Sequence, residues 1–491
     1  MTFPALIDEN DGLLGSHLRA CGQEHVLRWW PDLDPARRER LCRQVRGIDL
    51  ELVQRLFRRT HSVENAPPSS EAIRPVDATP IPTTSGQDRR EQQAADLGRR
   101  ALEAGQVAVV LVAGGQGTRL GHPGPKGTFP IGPVSGKSLF QIHAEKVLAL
   151  GRRYGVRLPL YIMTSPENDG AAREFFSRHA FFALDRDQVV FFRQGTMPAL
   201  DRHTGRVLVD ENYRLIACPN GHGGVVKALG DGGHLADMQR RGIRYVFYYQ
   251  VDNPLVKVAD PAFLGHHVAS DAEMSLKVVR KLRPDEKLGV VVEVDGRVQL
   301  IEYSDLPEEL ARRRSADGSL EIWAGNIAVH VFNLSFLQRL AANGSMLPFH
   351  RAIKKVPYLD ERGRLVRPAE NNAVKFEMFV FDALPLARKA LVVETDRREE
   401  FEPLKNATGE NSPQTVRQVM SSVFAGWLRR AGIEVSTRED GSAAFPLEIS
   451  PLLALDAEEL RTRLPRHPPV DEALLLDEKT PTTLQLETCV Q

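Results

Sequence analysis

The sequence predicts an α/β protein built on a mixed, mostly parallel sheet. Three observations carry that expectation. Short β-branched apolar runs recur through the middle of the chain, and helix-period stretches separate several of them. The first run, QVAVVLV (106–112), empties into a cluster of glycines. Strands that alternate with helices pair in parallel, and ligands of open α/β sheets sit beyond the carboxyl ends of such strands.

Taken in order, residues 12–60 place Leu14, Leu18, Val26, Leu27, Leu41, Val45, Ile48, Leu52 and Leu56 at helical spacing among many charges. This predicts a helical amino-terminal region. Residues 61–90 are rich in Pro, Ser and Thr with little periodicity. They read as an extended connection rather than a core element. From about residue 91 a helix leads into QVAVVLVAGG, and further buried strands are expected at LPLYIMTS (158–165), QVVFFRQ (188–194), YVFYYQVDN (245–253) and MSLKVV (274–279). A helix is expected at SLFQIHAEKVLALGRRYG (138–155) and a strand at LVVET (391–395). After about residue 405 the amphipathic stretch TVRQVMSSVFAGWLRRAG (415–432) opens a smaller carboxy-terminal domain. The expected boundaries are therefore 1–100, 101–405 and 406–491.

A chain of 491 residues exceeds what one core usually fills. Lys+Arg and Asp+Glu both number 64, so no global field points to nucleic acid or a membrane surface. Cys21, Cys42, Cys218 and Cys489 are too scattered for a disulfide framework or zinc site and read as buried or incidental thiols. The start MTFPALIDENDG lacks a basic patch and an apolar core, and no apolar run nears the roughly 18 residues of a membrane span. The expectation is a soluble, cytoplasmic protein.

The strongest chemical signal is VLVAGGQGTRLGHPGPKG (110–127). Glycines after a strand let backbone N–H groups approach a polyphosphate, while Arg119 and Lys126 neutralise it. Two commoner motifs fail. A dinucleotide fingerprint needs glycine where Leu120 stands, and a P-loop ending in Gly136-Lys137-Ser138 needs glycine where Ile131 stands. A second loop, CPNGHGG (218–224), could cradle a base or sugar or be a plain turn. Asp252, at the end of a buried strand, suits a hard cation such as Mg²⁺, which takes one or two carboxylates and fills its shell with phosphates. An Asx turn before Pro254 fits the local sequence equally well. Lys405, Glu302 and Asn326 carry little signal in isolation, and the pair His266–His267 reads as surface residues.

Together these segments resemble the eukaryotic-type UDP-sugar pyrophosphorylases, most of all the UDP-N-acetylhexosamine pyrophosphorylases. The matching runs lie in order: QEHVLRWWPDL (23–33), LVAGGQGTRLG, PKG, FFRQGTMPAL (191–200), CPNGHGG and VDNPLVKVADPAFLG (251–265). They continue through GVVVEVDGRVQLIEYSD (289–305), GNIAVHVF (325–332), NNAVKFEMFVFDAL (371–384), EFEPLKN (400–406) and FPLEISPLLAL (445–455). The resemblance implies a glycosyltransferase-A-like, Rossmann-like nucleotidyltransferase core with a helical amino-terminal region and a small carboxy-terminal domain. It implies that Val112, Ala113, Gly114 and Gly115 form the nucleotide loop, and that Arg119 and Lys126 hold the β- and γ-phosphates. Gln194 and Gly221 would contact uracil, and Asp252 would bind Mg²⁺ against the phosphates. Gly289, Glu302 and Asn326 would line the sugar pocket, and Lys405 would hold the sugar phosphate.

The implied reactants are UTP and a hexose 1-phosphate, N-acetylglucosamine 1-phosphate favoured, and the products are a UDP-sugar and pyrophosphate. One departure bears on the sugar. The hexosamine enzymes usually read Gly-Asn-Gly-Gly in the second loop, where this chain has Gly221-His222-Gly223-Gly224. Gly-His-Gly is the usual reading of the UDP-glucose pyrophosphorylases, so glucose 1-phosphate is the alternative and His222 a candidate sugar contact. A non-catalytic UDP-sugar sensor is the reading from another class, and the retention of Arg119, Lys126, Asp252 and Lys405 weighs against it.

Overall fold

The computed structural model describes residues 9–59, 69–342, 347–464 and 467–480. Cys489 and residues 61–68 of the connection lie outside them. The chain divides into two compact units, each discontinuous in sequence. One comprises Met1–Ala66, Gln194–Val225 and Met346–Asp382, and the other Pro67–Arg193, Val226–Ser345 and Ala383–Gln491.

The larger unit is built on a ten-stranded mixed sheet. Its strands are β1 (Ile73–Pro75), β2 (Val107–Val112), β3 (Leu160–Thr164), β4 (Val189–Arg193), β5 (Tyr245–Gln250), β6 (Met274–Arg280), β7 (Val290–Val294), β8 (Arg297–Ile301), β9 (Ala324–Asn333) and β10 (Ala390–Glu394). The order β4-β3-β2-β5 is parallel throughout, as the alternation of strands and helices predicts. Its strands are continuous apolar runs because both faces are covered; Val107 to Leu111 are all buried. β9 then runs antiparallel to β5 and β6, and β10 pairs in parallel with β6.

Local chemistry sets the helix ends. Thr84 and Gln87 form a capping box for the helix Ser85–Glu103. The Ser138 hydroxyl accepts Gln141 N–H at the start of Leu139–Tyr154, and Gly155 ends that helix at φ 65°. Ser412 caps the helix Pro413–Arg430, whose Ala425 and Leu428 join Ile433, Leu447, Leu453, Leu460 and Leu476 in a small core of their own.

Two sequence expectations are corrected. Residues 61–90 are not merely a connection: Ile73–Pro75 pairs antiparallel with β7, and the helix begins at Ser85. Ile73 is fully buried in a cluster with Val290, Val292 and Ile322. A proline is tolerated there because β1 is an edge strand with a ladder on one side only. His267 is not a surface residue. It is buried on the helix Pro261–Ser270, where its ring hydrogen-bonds Ser275 Oγ at 2.7 Å and Asn333 Oδ1 at 3.0 Å.

In the smaller unit the helices Glu9–Ala20, Pro35–Arg46 and Leu50–Arg59 are those expected from residues 12–60. Leu18, Leu41, Val45 and Val53 pack with Leu200, Val374 and Phe376 in one cluster. Two glutamines tie these helices to the rest by imitating strand edges. Gln23 donates to Gly205 O at 3.0 Å and accepts from Val207 N at 2.8 Å. Gln44 exchanges the same pair of bonds with Leu215, each at 3.1 Å. Cys21, Cys42 and Cys218 are buried, and none of them is in a disulfide.

Candidate active site

The glycine loop leaves β2 at Val112 and is folded onto itself. Ala113 N donates to Met163 O at 2.8 Å, Gly117 N to Gly124 O at 2.9 Å, and Lys126 N to Gly115 O at 3.0 Å. These bonds return the chain so that Lys126 stands over the loop's start. Gly117 is required sterically, because a Cβ there would lie 2.8 Å from His122 Cβ. At Gly115 a Cβ would meet nothing within 4 Å, so its backbone faces open space. Arg119 is exposed on the short turn Thr118–Leu120. Asn168, which the sequence reading missed, holds the loop from beneath. Its Nδ2 donates to Ala113 O at 3.0 Å and Gly115 O at 3.3 Å, and its Oδ1 accepts Ser165 N at 2.8 Å.

Beside this loop β5 ends, and Asp252 follows two residues later. Its carboxylate is 14% exposed and lies 3.6 Å from Lys126 Nζ. A cavity of about 60 Å³ opens there, lined among others by Gln250, Asp252, Asn253, Asn326 and Lys405. Asp252 O accepts Leu404 N at 2.8 Å, and Lys126 Nζ donates to Leu404 O at 3.4 Å. Lys405 is therefore delivered by a segment bonded directly to the Asp252 turn.

Asn326 sits at a bulge in β9, where the pairing with β6 shifts between Asn326 and His330. Its Oδ1 accepts Ala328 N at 3.0 Å, and its N–H donates to Gly289 O at 2.9 Å. Glu302 follows β8, whose Ile301 pairs with Val290, so Gly289 and Glu302 stand one step beyond that pair. Lys126, Asp252, Asn326 and Lys405, scattered over 280 residues of sequence, thus belong to one unit and gather beyond the carboxyl end of β5, with Gly289 joined to them through Asn326; Glu302 belongs to the same unit but does not line the cavity. Gln250 lines the cavity without having been expected there.

The second loop and Gln194 belong to the smaller unit. Asn220 N donates to Gly195 O at 3.1 Å, which sets the Gln194 segment beside Gly221. The glycines here answer to packing. Gly221 has φ 83°, and a Cβ on it would lie 2.4 Å from Met378 O; one on Gly223 would lie 2.6 Å from Phe379 C. His222 Nδ1 accepts Val380 N–H at 3.2 Å, and its ring stacks on Phe379 with centroids 5.3 Å apart. Burial lowers its pKa to about 4, so the imidazole is neutral at physiological pH. Asn220, also missed, is buried with no hydrogen-bond partner for its Oδ1 among the described residues.

A parallel strand feeding a glycine loop, a lysine returned over that loop and a carboxylate at the end of the neighbouring strand define a nucleotidyltransferase core. The chain belongs to the UTP–glucose-1-phosphate uridylyltransferase family, whose sequence model matches residues 52–425. It is 38% identical to UDP-N-acetylhexosamine pyrophosphorylase-like protein 1 of Homo sapiens, over 96% of this chain and 98% of that one. It is 39% identical to UDP-N-acetylglucosamine pyrophosphorylase of Saccharomyces cerevisiae, over 78% of this chain and 82% of the relative. The solved structure of the Trypanosoma brucei UDP-N-acetylglucosamine pyrophosphorylase, in complex with an inhibitor, superposes with TM-score 0.81 at 27% identity, over 96% of this chain and 99% of that chain. Among the described residues, no helix is long and apolar enough to cross a membrane.

Proposed function

We propose that this chain joins UTP to a hexose 1-phosphate, N-acetylglucosamine 1-phosphate being the favoured sugar, and releases pyrophosphate. The observation that carries the reading is the single cavity onto which Asp252, Asn326 and Lys405 converge, with Lys126 at its edge. Both reactants are anions, so the protein must offset their repulsion and align them for in-line attack of the sugar phosphate on the α-phosphorus of UTP. A sugar phosphate is already ionised at neutral pH, and no general base is needed. Gly114 and Gly115 would present backbone N–H groups to the nucleotide, with Arg119 and Lys126 on its outer phosphates. Lys405 would hold the attacking phosphate, and Gly289, Glu302 and Asn326 the sugar. Gln194 and Gly221 would read uracil.

Asp252 suits Mg²⁺: one hard oxygen ligand beside a cavity that substrate phosphates can enter. Bound there, the ion would neutralise charge on the transferring group and on departing pyrophosphate. The site's cationic groups stabilise the same charge in place. We place the reaction in the cytoplasm, in keeping with the sequence composition.

His222 favours a second reading, in which glucose 1-phosphate is accepted as well. The names of the relatives weigh toward the N-acetylated sugar. A panel of UTP with the 1-phosphates of glucose, galactose, N-acetylglucosamine and N-acetylgalactosamine tests both. Pyrophosphate release fastest with N-acetylglucosamine 1-phosphate is expected; release with none would leave only a binding role.

A further inference from the structure

Asn253 stands immediately after the proposed metal carboxylate and is 3% exposed. Each hydrogen bond of its carboxamide goes to backbone. Nδ2 donates to Glu400 O at 2.7 Å, and Oδ1 accepts Leu255 N at 3.2 Å and Glu402 N at 3.3 Å. One residue before Asn253 and two residues after Glu402, Leu404 N donates to Asp252 O. The turn that carries Asp252 and the segment 400–405 that carries Lys405 are thus bonded along their length, with the buried Asn253 carboxamide reaching two backbone positions of the segment from the turn itself.

The far end of that segment is fixed from below. Lys277 on β6, 2% exposed, donates to both oxygens of Glu400 at 2.9 and 2.7 Å and to Asp260 at 2.6 Å. The Thr395 hydroxyl donates to Glu400 as well. A buried carboxylate held by the Lys277 ammonium and the Thr395 hydroxyl, with Lys257 Nζ 3.8 Å away, gives the segment an anchor at Glu400. With the segment anchored at Glu400, the Asn253 carboxamide sets how far Lys405 stands from Asp252.

We propose that Asn253 is a positioning residue for uridylyl transfer, clasping the segment 400–405 so that Lys405 is held in register with Asp252. The inference rests on the proposed roles of Asp252 and Lys405. A purely structural carboxamide would also be buried and bonded, but its loss would lower stability without acting through Lys405.

The test is a mutant cycle in the full-length enzyme. Asn253→Ser and Asn253→Asp are made alone and together with Lys405→Ala, and kcat, KM for UTP and thermal melting are measured for each. Asn253→Asp keeps the shape and both acceptor bonds but turns the donor to Glu400 O into a carboxylate oxygen that repels it, so it opens the clasp at that bond if Asn253→Ser folds poorly. Either change should lower kcat by about 10–10²-fold, the scale of an ångström of misplacement, with KM for UTP close to wild type. In the Lys405→Ala background the same change should have little further effect, because the group it positions is gone. Full multiplication of the two effects, or a lowered melting temperature with kcat intact, overturns the clasp. Wild-type kcat in Lys405→Ala alone overturns the proposed role of Lys405 itself, and the clasp with it.

Discussion

Lys126 and Asp252 form a half-buried pair at 3.6 Å, and neither is committed to holding secondary structure together. Their removal should therefore be read in catalysis before stability. Asp252→Ala should abolish magnesium-dependent turnover while the protein still melts cooperatively; a folded variant with near-normal rate would remove Asp252 from the metal site. Lys405→Ala should lower kcat by about 10²–10³-fold, the usual scale for one stabiliser of transition-state charge. Lys126→Ala should act mainly on KM for UTP. His222 invites a different substitution. Its Nδ1 accepts Val380 N–H, a bond that an asparagine Oδ1 can also accept, so the loop should survive His222→Asn. We expect the ratio of kcat/KM values to shift toward N-acetylglucosamine 1-phosphate by about 1–2 kcal/mol, the scale of one neutral hydrogen bond or a small steric misfit. Kinetics with both sugar phosphates on wild type and variant decide it, and an unchanged ratio leaves the imidazole with its packing role alone.

At the scale of elements, the glycine loop separates fold from function at two of its positions. Gly117→Ala forces a Cβ to within 2.8 Å of His122 Cβ and should destabilise the loop by about 1–3 kcal/mol. Gly115→Ala meets no protein atom within 4 Å and should leave the melting temperature unchanged. Its methyl group nevertheless stands where a polyphosphate would approach the backbone, so KM for UTP should rise; an unaltered KM would mean that no phosphate comes close there. This loop and Asp252 were legible in the sequence because each couples a strand end to residue types that rarely stand there without cause. Asn168 and Asn253 were not. A buried carboxamide that bonds only to backbone has no characteristic spacing, and its partners lie as far as 149 residues away. β1 was hidden for another reason: three residues with a proline carry no period, and what makes them a strand is the apolar edge of β7.

At the scale of the molecule, local patterns placed six of the ten strands of the larger sheet but could not place the two units, since each is assembled from three separate stretches of chain. Burial within the larger unit has a consequence for acid stability. His143 and His267 are 0% and 1% exposed, and desolvation lowers their pKa values to about 3 and about 4. In the unfolded chain each would titrate near 6.5. Between about pH 6.5 and 4 the unfolded state therefore binds protons that the folded state refuses, and stability falls as the pH is lowered through that window. The neutral forms are built in. His143 Nε2 donates to Val251 O at 3.0 Å, while His267 Nε2 donates to Asn333 Oδ1 and its Nδ1 accepts from the Ser275 hydroxyl. Each such histidine contributes a slope of up to about 1.4 kcal/mol per pH unit. Urea unfolding midpoints should fall between pH 7 and pH 5, before the depressed carboxylates Glu273 and Glu399 begin to add their own losses at lower pH. His267→Gln keeps a donor and an acceptor and removes the titration, so its stability should decline less steeply over the same interval. Equal slopes for the variant and the wild type would show that the ring takes up its proton in the folded state as readily as in the unfolded one.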